Sequence, residues 1–266
     1  MLRPEQRAEF ETLGTTRLRG AFSKAAAAEM ETAVWDFLGR RFGALRSDPT
    51  TWDVPLASGL QPLRTHPSFA AIGGPALRGA LDDLLGPGRW QEPRHWGQML
   101  VSFPTPAAAG PSARAGWHTD FPYSLPPDRT VGVLVLVFIN RVAAGAGGTF
   151  VLSGSPRVVS AYLDRRPHLR SAKMKVTRCA LLDSDPWLRA ITGDFDAAAW
   201  ARGLDAAPHE LDGVPVAVTE LTGEPGDIVL AHPWLLHTPS PNRGETPRFM
   251  RVQRIAAKRR PRPRAR

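Results

Sequence analysis

Behind Ser23, which can cap a helix, apolar side chains recur at Met30, Val34, Phe37, Leu38 and Phe42 with helical spacing. That spacing predicts a helix with one face to bury. Leu77, Leu81, Leu84 and Leu85 repeat the pattern behind Pro75, and Gly86-Pro87-Gly88 ends it. From Gly97 the rhythm changes. The stretch 97–103 reads as a strand closed by prolines, and Val131 to Ile139 is too short and too rich in valine for a helix. Thr149 to Leu152, Val214 to Leu221, Gly226 to Leu230 and Phe249 to Ile255 complete the strand candidates. Helices first and strands afterwards, without regular βαβ alternation, predict an α+β chain: a β-barrel or sandwich flanked by N-terminal helices. Residues 157–212 interrupt the strands with charged and alanine-rich sequence, as an inserted lid or substrate-binding element would.

Composition narrows the picture. At 266 residues, 42% of them hydrophobic, the chain can bury one substantial core, so we expect a single domain over 1–257 with a basic, disordered tail at 258–266. The net charge of +9 suggests an anionic partner until its location is considered. Six of the 34 basic residues lie in that tail with no acid among them, and without it the balance is +3. No specific nucleic-acid partner is expected. No apolar run approaches the length of a membrane span, the N-terminus lacks the apolar centre of a secretory signal, and Cys179 is the sole cysteine. A cytoplasmic setting without membrane association is the expectation, with monomer or homodimer undetermined.

Three segments carry chemistry. In Gly116-Trp117-His118-Thr119-Asp120, residues two apart on an extended chain point to one side, so His118 and Asp120 can offer an imidazole and a carboxylate to one ion. In the stretch 226–237, a late strand delivers a histidine beyond its exit, and His232 competes with His237 for that place. Two histidines and a carboxylate that leave adjacent positions open form the facial triad of oxygen-activating iron(II) enzymes. Arg248, eleven residues beyond His237, can pair bidentately with a carboxylate.

His-x-Asp, then more than a hundred residues, then His-x10-Arg resembles the phytanoyl-CoA dioxygenase family of 2-oxoglutarate oxygenases. The resemblance extends to Leu2-Arg3-Pro4-Glu5-Gln6 with Phe10 and Gly14, to the turn and strand 147–155, and to Asn242 between His237 and Arg248. Only His237 has Asn242 and Arg248 at the family offsets, which ranks it above His232. Two positions depart from the family pattern: Pro239 stands for a serine and Pro156 for a histidine.

The resemblance implies a double-stranded β-helix of the jelly-roll or cupin-like kind, with iron(II), 2-oxoglutarate and oxygen. It implies His118, Asp120 and His237 as ligands, Arg248 on the C5 carboxylate, and Gln98 and Thr149 near the co-substrate. Asp120 disfavours halogenation, since related halogenases carry a small residue there. Hydroxylation of a small organic metabolite, with release of succinate and carbon dioxide, is the default outcome. Trp117, Phe121 and Tyr123 flank the proximal ligands and are candidates to line a substrate pocket. Two other readings stay open: a zinc hydrolase built on the same three ligands, and a non-catalytic nucleic-acid-binding protein acting through the tail.

Overall fold

The computed structural model describes residues 1–53, 59–105, 116–126, 129–193 and 208–258. Helix α1 (Pro4–Leu13) leads into strand β1 (Thr15–Leu18), followed by α2 (Lys24–Phe42) and α3 (Pro75–Leu85). Ser23 caps α2 as its sequence predicts, its side chain accepting from the Ala26 amide, and Gly43 ends the helix in the left-handed conformation. The strands β2 (Gln98–Ser102), β3 (Gly132–Phe138) and β4 (Thr149–Ser153) precede a helical excursion of α4 (Ser155–Arg165), α5 (Met174–Leu182) and α6 (Pro186–Thr192). The chain then returns through β5 (His209–Leu211), β6 (Val214–Leu221), β7 (Ile228–Ala231), β8 (His237–Pro239) and β9 (Arg248–Ala256). Residues 259–266, on which the disordered-tail expectation falls, lie outside the described residues.

Two antiparallel sheets form the core, one in the order β1-β7-β3-β9-β2 and the other in the order β5-β6-β4-β8. This is the double-stranded β-helix. Strand β3 is buried at every position, which explains its unbroken apolar run. Leu134, Leu136 and Phe138 face an inner cluster with Val151, Val229 and Met250. Val133, Val135 and Val137 face outward and pack with Met30, Val34 and Leu38 of α2 and with Leu77 and Leu81 of α3. A strand covered on both faces gains nothing from polar alternation. The second sheet is covered on its outer face by the excursion: Phe150, Leu152 and Val216 pack with Val159, Leu163, Leu181 and Leu188. The insertion read at 157–212 is thus a packed helical layer in its described part, and its first helix starts two residues earlier.

Sequence reasoning did not find α1, β1, β5 or β8. The three strands have four, three and three residues, too short to show a period. β1 is held by its partner instead, pairing Thr15 with Ala231 through to Leu18 with Ile228. Among the described residues, no helix is long and apolar enough to cross a membrane.

Candidate metal centre

His118 and His237 reach one another across the gap between two chain segments more than a hundred residues apart. They form an isolated antiparallel bridge, His118 N donating to His237 O at 2.9 Å and His237 N donating to His118 O at 3.0 Å. The backbone pairing fixes both Cα positions, and side-chain contacts fix the rings. His118 Nδ1 lies 2.7 Å from Gly116 O and His237 Nδ1 lies 3.0 Å from Leu235 O. A carbonyl can only accept, so each Nδ1 carries the proton and each Nε2 is left with a lone pair. The ring centroids are 4.2 Å apart.

Asp120 completes the set. Its Oδ2 is 3.5 Å from His237 Nε2, and one ligand atom from each of His118, Asp120 and His237 falls within 4.8 Å of the others. Ligand atoms about 2.1 Å from a common ion and at right angles to one another lie about 3 Å apart, so small adjustments close the site. The segment is anchored just beyond the ligands. Gly132 has no side chain where the Phe121 ring packs against β3, and a Cβ there would come within 2.5 Å of it.

The second oxygen of Asp120 is held by Arg254, near the end of β9. Arg254 Nε donates to Oδ1 at 2.8 Å and Nη2 donates to the same atom. The Asp120 side chain is almost fully buried (4% exposed) while that of Arg254 is largely exposed (61%). Burial opposes ionisation of Asp120, but the His237 and Arg254 contacts outweigh it and hold the carboxyl at about 2. Burial, with the neighbouring imidazole of His237 acting in the same direction, lowers His118 as well. Both shifts favour the forms that ligate a metal: carboxylate and neutral imidazole. Arg254 was not foreseen, because its partner lies 134 residues away and arginine is common in this chain.

Arg248 lies on the same face of β9 as Arg254, six residues earlier, and is buried. Its Nε has no hydrogen-bond partner and its Nη1 reaches only the sulfur of Met250, at 3.5 Å. Burial lowers its pKa to about 10, with the charge of Glu220 acting the other way. A guanidinium at about 10 is still charged at neutral pH, and a buried charge without a hydrogen-bonded counter-ion costs several kcal/mol. Such a group is suited to receive an anion. Asn242 holds the loop before it, donating to Ser102 O and Thr246 O at 2.9 and 2.8 Å and accepting from Gly244 N.

The remaining candidates divide. Thr149 is buried on β4 and pairs with Pro239, two residues before Val151 pairs with His237. Trp117 and Tyr123 are each 1% exposed and belong to the apolar cluster under α5. Gln98 is exposed on β2, and its Oε1 accepts from Arg64 Nη2 at 3.3 Å; no hydrogen bond links it to the triad among the described residues. His232 lies outside the metal-binding group. Its amide donates to Gly14 O at 2.8 Å, and its Nδ1 accepts from Trp234 N at 3.1 Å. Burial lowers it to about 4, so it serves as a neutral acceptor inside a turn.

A jelly-roll core that presents two histidines and an aspartate to one point, with a buried arginine that has no counter-ion among the described residues on the same face of β9 as Arg254, has the layout of a facial-triad oxygenase. The sequence profile described as Phytanoyl-CoA dioxygenase (PhyH) matches residues 10–250, and the chain belongs to that family of 2-oxoglutarate-dependent non-haem iron oxygenases. No curated protein matches it in sequence. Among solved structures it is similar to AviO1 from Streptomyces viridochromogenes Tue57, at 16% identity and a TM-score of 0.57 over 98% of both chains. EvdO2 from Micromonospora carbonacea var. aurantiaca, complexed with 2-oxoglutarate, aligns at 18% identity and 0.52 over 99% of this chain and 96% of that one. HygX from Streptomyces hygroscopicus, with nickel and 2-oxoglutarate bound, aligns at 12% identity and 0.51 over 96% and 87%. At these identities the likeness shows the fold.

Proposed function

We propose that this protein hydroxylates a small organic metabolite, one atom of oxygen entering the substrate C–H bond and the other entering succinate as 2-oxoglutarate loses carbon dioxide. The observation that carries the reading is the pairing of the His118, Asp120 and His237 cluster with the buried guanidinium of Arg248, whose Nε is unpaired and which has no carboxylate partner among the described residues. A zinc hydrolase needs the first and has no use for the second. His118, Asp120 and His237 hold the iron, Arg248 takes the distal carboxylate of 2-oxoglutarate, and Thr149 lines the wall beside it. EvdO2 and HygX, which share the fold, hold 2-oxoglutarate in their structures, and that supports the assignment.

Bound iron with oxygen and the keto acid supplies the oxidising power; the chain supplies position and polarity. The two Nδ1 contacts keep both Nε2 lone pairs aimed at one point. Arg254 occupies Asp120 Oδ1 and leaves Oδ2 for the metal. Arg248 orients the co-substrate through two parallel hydrogen bonds.

The test is anaerobic addition of iron(II) and 2-oxoglutarate to the apoprotein, following the visible metal-to-ligand charge-transfer band. The band forms in the native protein, survives His232→Ala and is lost in His237→Ala. Admitting oxygen then yields succinate. Absence of the band in the native protein overturns the reading, and the reverse behaviour of the two histidine variants overturns the ligand assignment.

A further inference from the structure

Strand β3 ends at Phe138, where its antiparallel ladder with β9 reaches Met250. Continuing that register by two places puts Asn140 opposite Arg248. The last backbone bond of the ladder runs from Ile139 N to Phe249 O at 3.1 Å. Beyond it the main chain of β9 offers little, because Pro247 has no amide proton to donate.

There the side chain of Asn140 takes over. Its Nδ2 donates to Pro247 O at 2.7 Å and its Oδ1 accepts from Phe249 N at 2.8 Å. A carboxamide carries the same donor and acceptor as a peptide group, and a carbonyl on one side with an amide on the other fixes which end is which. Pro247 O belongs to the peptide before Arg248 and Phe249 N to the peptide after it. The two bonds therefore hold both backbone torsions of Arg248.

The Arg248 side chain has no such anchors. Its Nη1 reaches only the sulfur of Met250 and its Nε is unpaired, so the guanidinium takes its aim from the backbone that carries it. On the far side of β9, Ser102 pairs with Arg248 and is itself held by Asn242. Asn140 completes the frame. It is half-buried, and no hydrogen bond links it to His118, Asp120 or His237 among the described residues.

We propose that Asn140 is a positioning residue for the co-substrate. By gripping the two peptides around Arg248 it sets how far from the metal centre the guanidinium meets the distal carboxylate, and so selects 2-oxoglutarate over shorter and longer keto diacids. A 2-keto acid can chelate through its carboxylate and keto oxygens whatever its length, and an added or missing methylene moves only the far carboxylate. Bidentate pairing with arginine tolerates little of that movement. The inference rests on the function proposed above.

The test titrates anaerobic protein and iron(II) with 2-oxoglutarate, with oxaloacetate, one carbon shorter, and with 2-oxoadipate, one carbon longer, following the charge-transfer band. The native protein prefers 2-oxoglutarate. Asn140→Ala weakens 2-oxoglutarate about tenfold and the other two acids far less, so the preference narrows while iron(II) affinity stays as it was. Asn140→Asp keeps the acceptor for Phe249 N, loses the donor to Pro247 O and falls between. Arg251→Leu is the control. It removes a contact on the other face of the same strand, where Arg251 Nη2 donates to Arg64 O at 3.2 Å, and it lowers the melting temperature with the preference intact.

A preference unchanged in the Asn140 variants overturns the proposal even where the melting temperature falls, since the side chain then serves stability alone. Equal weakening of all three acids, or a native protein that takes them alike, overturns it too. If Asn140→Ala fails to fold, Asn140→Asp decides by the same criterion. Absence of the band in the native protein overturns the proposed function and this inference with it; a native band whose diacid preference survives in the variants overturns the inference alone.

Discussion

Strand β9 carries buried arginines on both of its faces, and they do opposite things. Arg248 faces the interior between the sheets with its Nε unpaired and no carbonyl partner among the described residues. Arg251, three residues on and therefore on the other face, is fully buried against the helical layer. There its guanidinium sits 3.9 Å over the Phe69 ring and its Nη2 donates to the carbonyls of Arg64 and Gly97. Burial lowers both to about 10, so their ionisation does not separate them. Their partners do. Arg251 is held in part by backbone and aromatic ring through its Nη2, although its Nε and Nη1 stay unpaired; Arg248 reaches only the sulfur of Met250 and has no oxygen partner among the described residues. Gly97 makes the clamp possible, since at φ +94° a Cβ there would fall 2.3 Å from Val252 O.

The comparison breaks most sharply at Arg248. Arg248→Leu raises the dissociation constant for 2-oxoglutarate a hundredfold or more, about 3 kcal/mol, measured by titration of the anaerobic charge-transfer band. The same change leaves the apoprotein as stable as before or more so in thermal unfolding, because an uncompensated buried charge is gone. Arg254→Gln comes next. It lowers metal affinity about tenfold to a hundredfold by releasing Asp120 Oδ1, read by competition with a chelating dye, while 2-oxoglutarate still binds at saturating iron. Arg251→Leu reverses the pattern of Arg248. It costs about 2 kcal/mol in denaturant unfolding and leaves 2-oxoglutarate affinity unchanged. If Arg248→Leu destabilised the fold while Arg251→Leu weakened the co-substrate, the two faces would have been assigned the wrong way round.

The smallest effect is at His232. Its folded pKa of about 4 lies below the ordinary 6.5, so between those values the unfolded chain binds more protons than the folded one. The stability it confers is complete above about 6.5 and drains away as pH falls toward 4. For a partly exposed ring this amounts to about 1–2 kcal/mol. His232→Gln therefore flattens the acid limb of the stability profile without moving the anaerobic band at neutral pH. A band lost in that variant would return His232 to the metal.

Much of this was legible along the chain wherever the pattern was local. The capped helix behind Ser23, the doubly buried run of β3, and the spacings His-x-Asp and His-x10-Arg are all relations between near neighbours. What stayed hidden depended on partners distant in sequence. Short strands such as β1 and β8 exist only because another strand holds them. Gln98, which the family resemblance puts near the co-substrate, is exposed on β2 and accepts from Arg64.

The sequence by itself determined the chemistry available: which side chains can ligate, which can receive a carboxylate, and the family to which the chain belongs. Tertiary structure decided which of them meet. The bridge brings His118 against His237 while His232 sits in a turn beside Gly14, and the register of β9 delivers Arg254 to Asp120. Each of these is a contact across more than fifty residues. Such contacts follow from strand register and core packing, which no local spacing encodes.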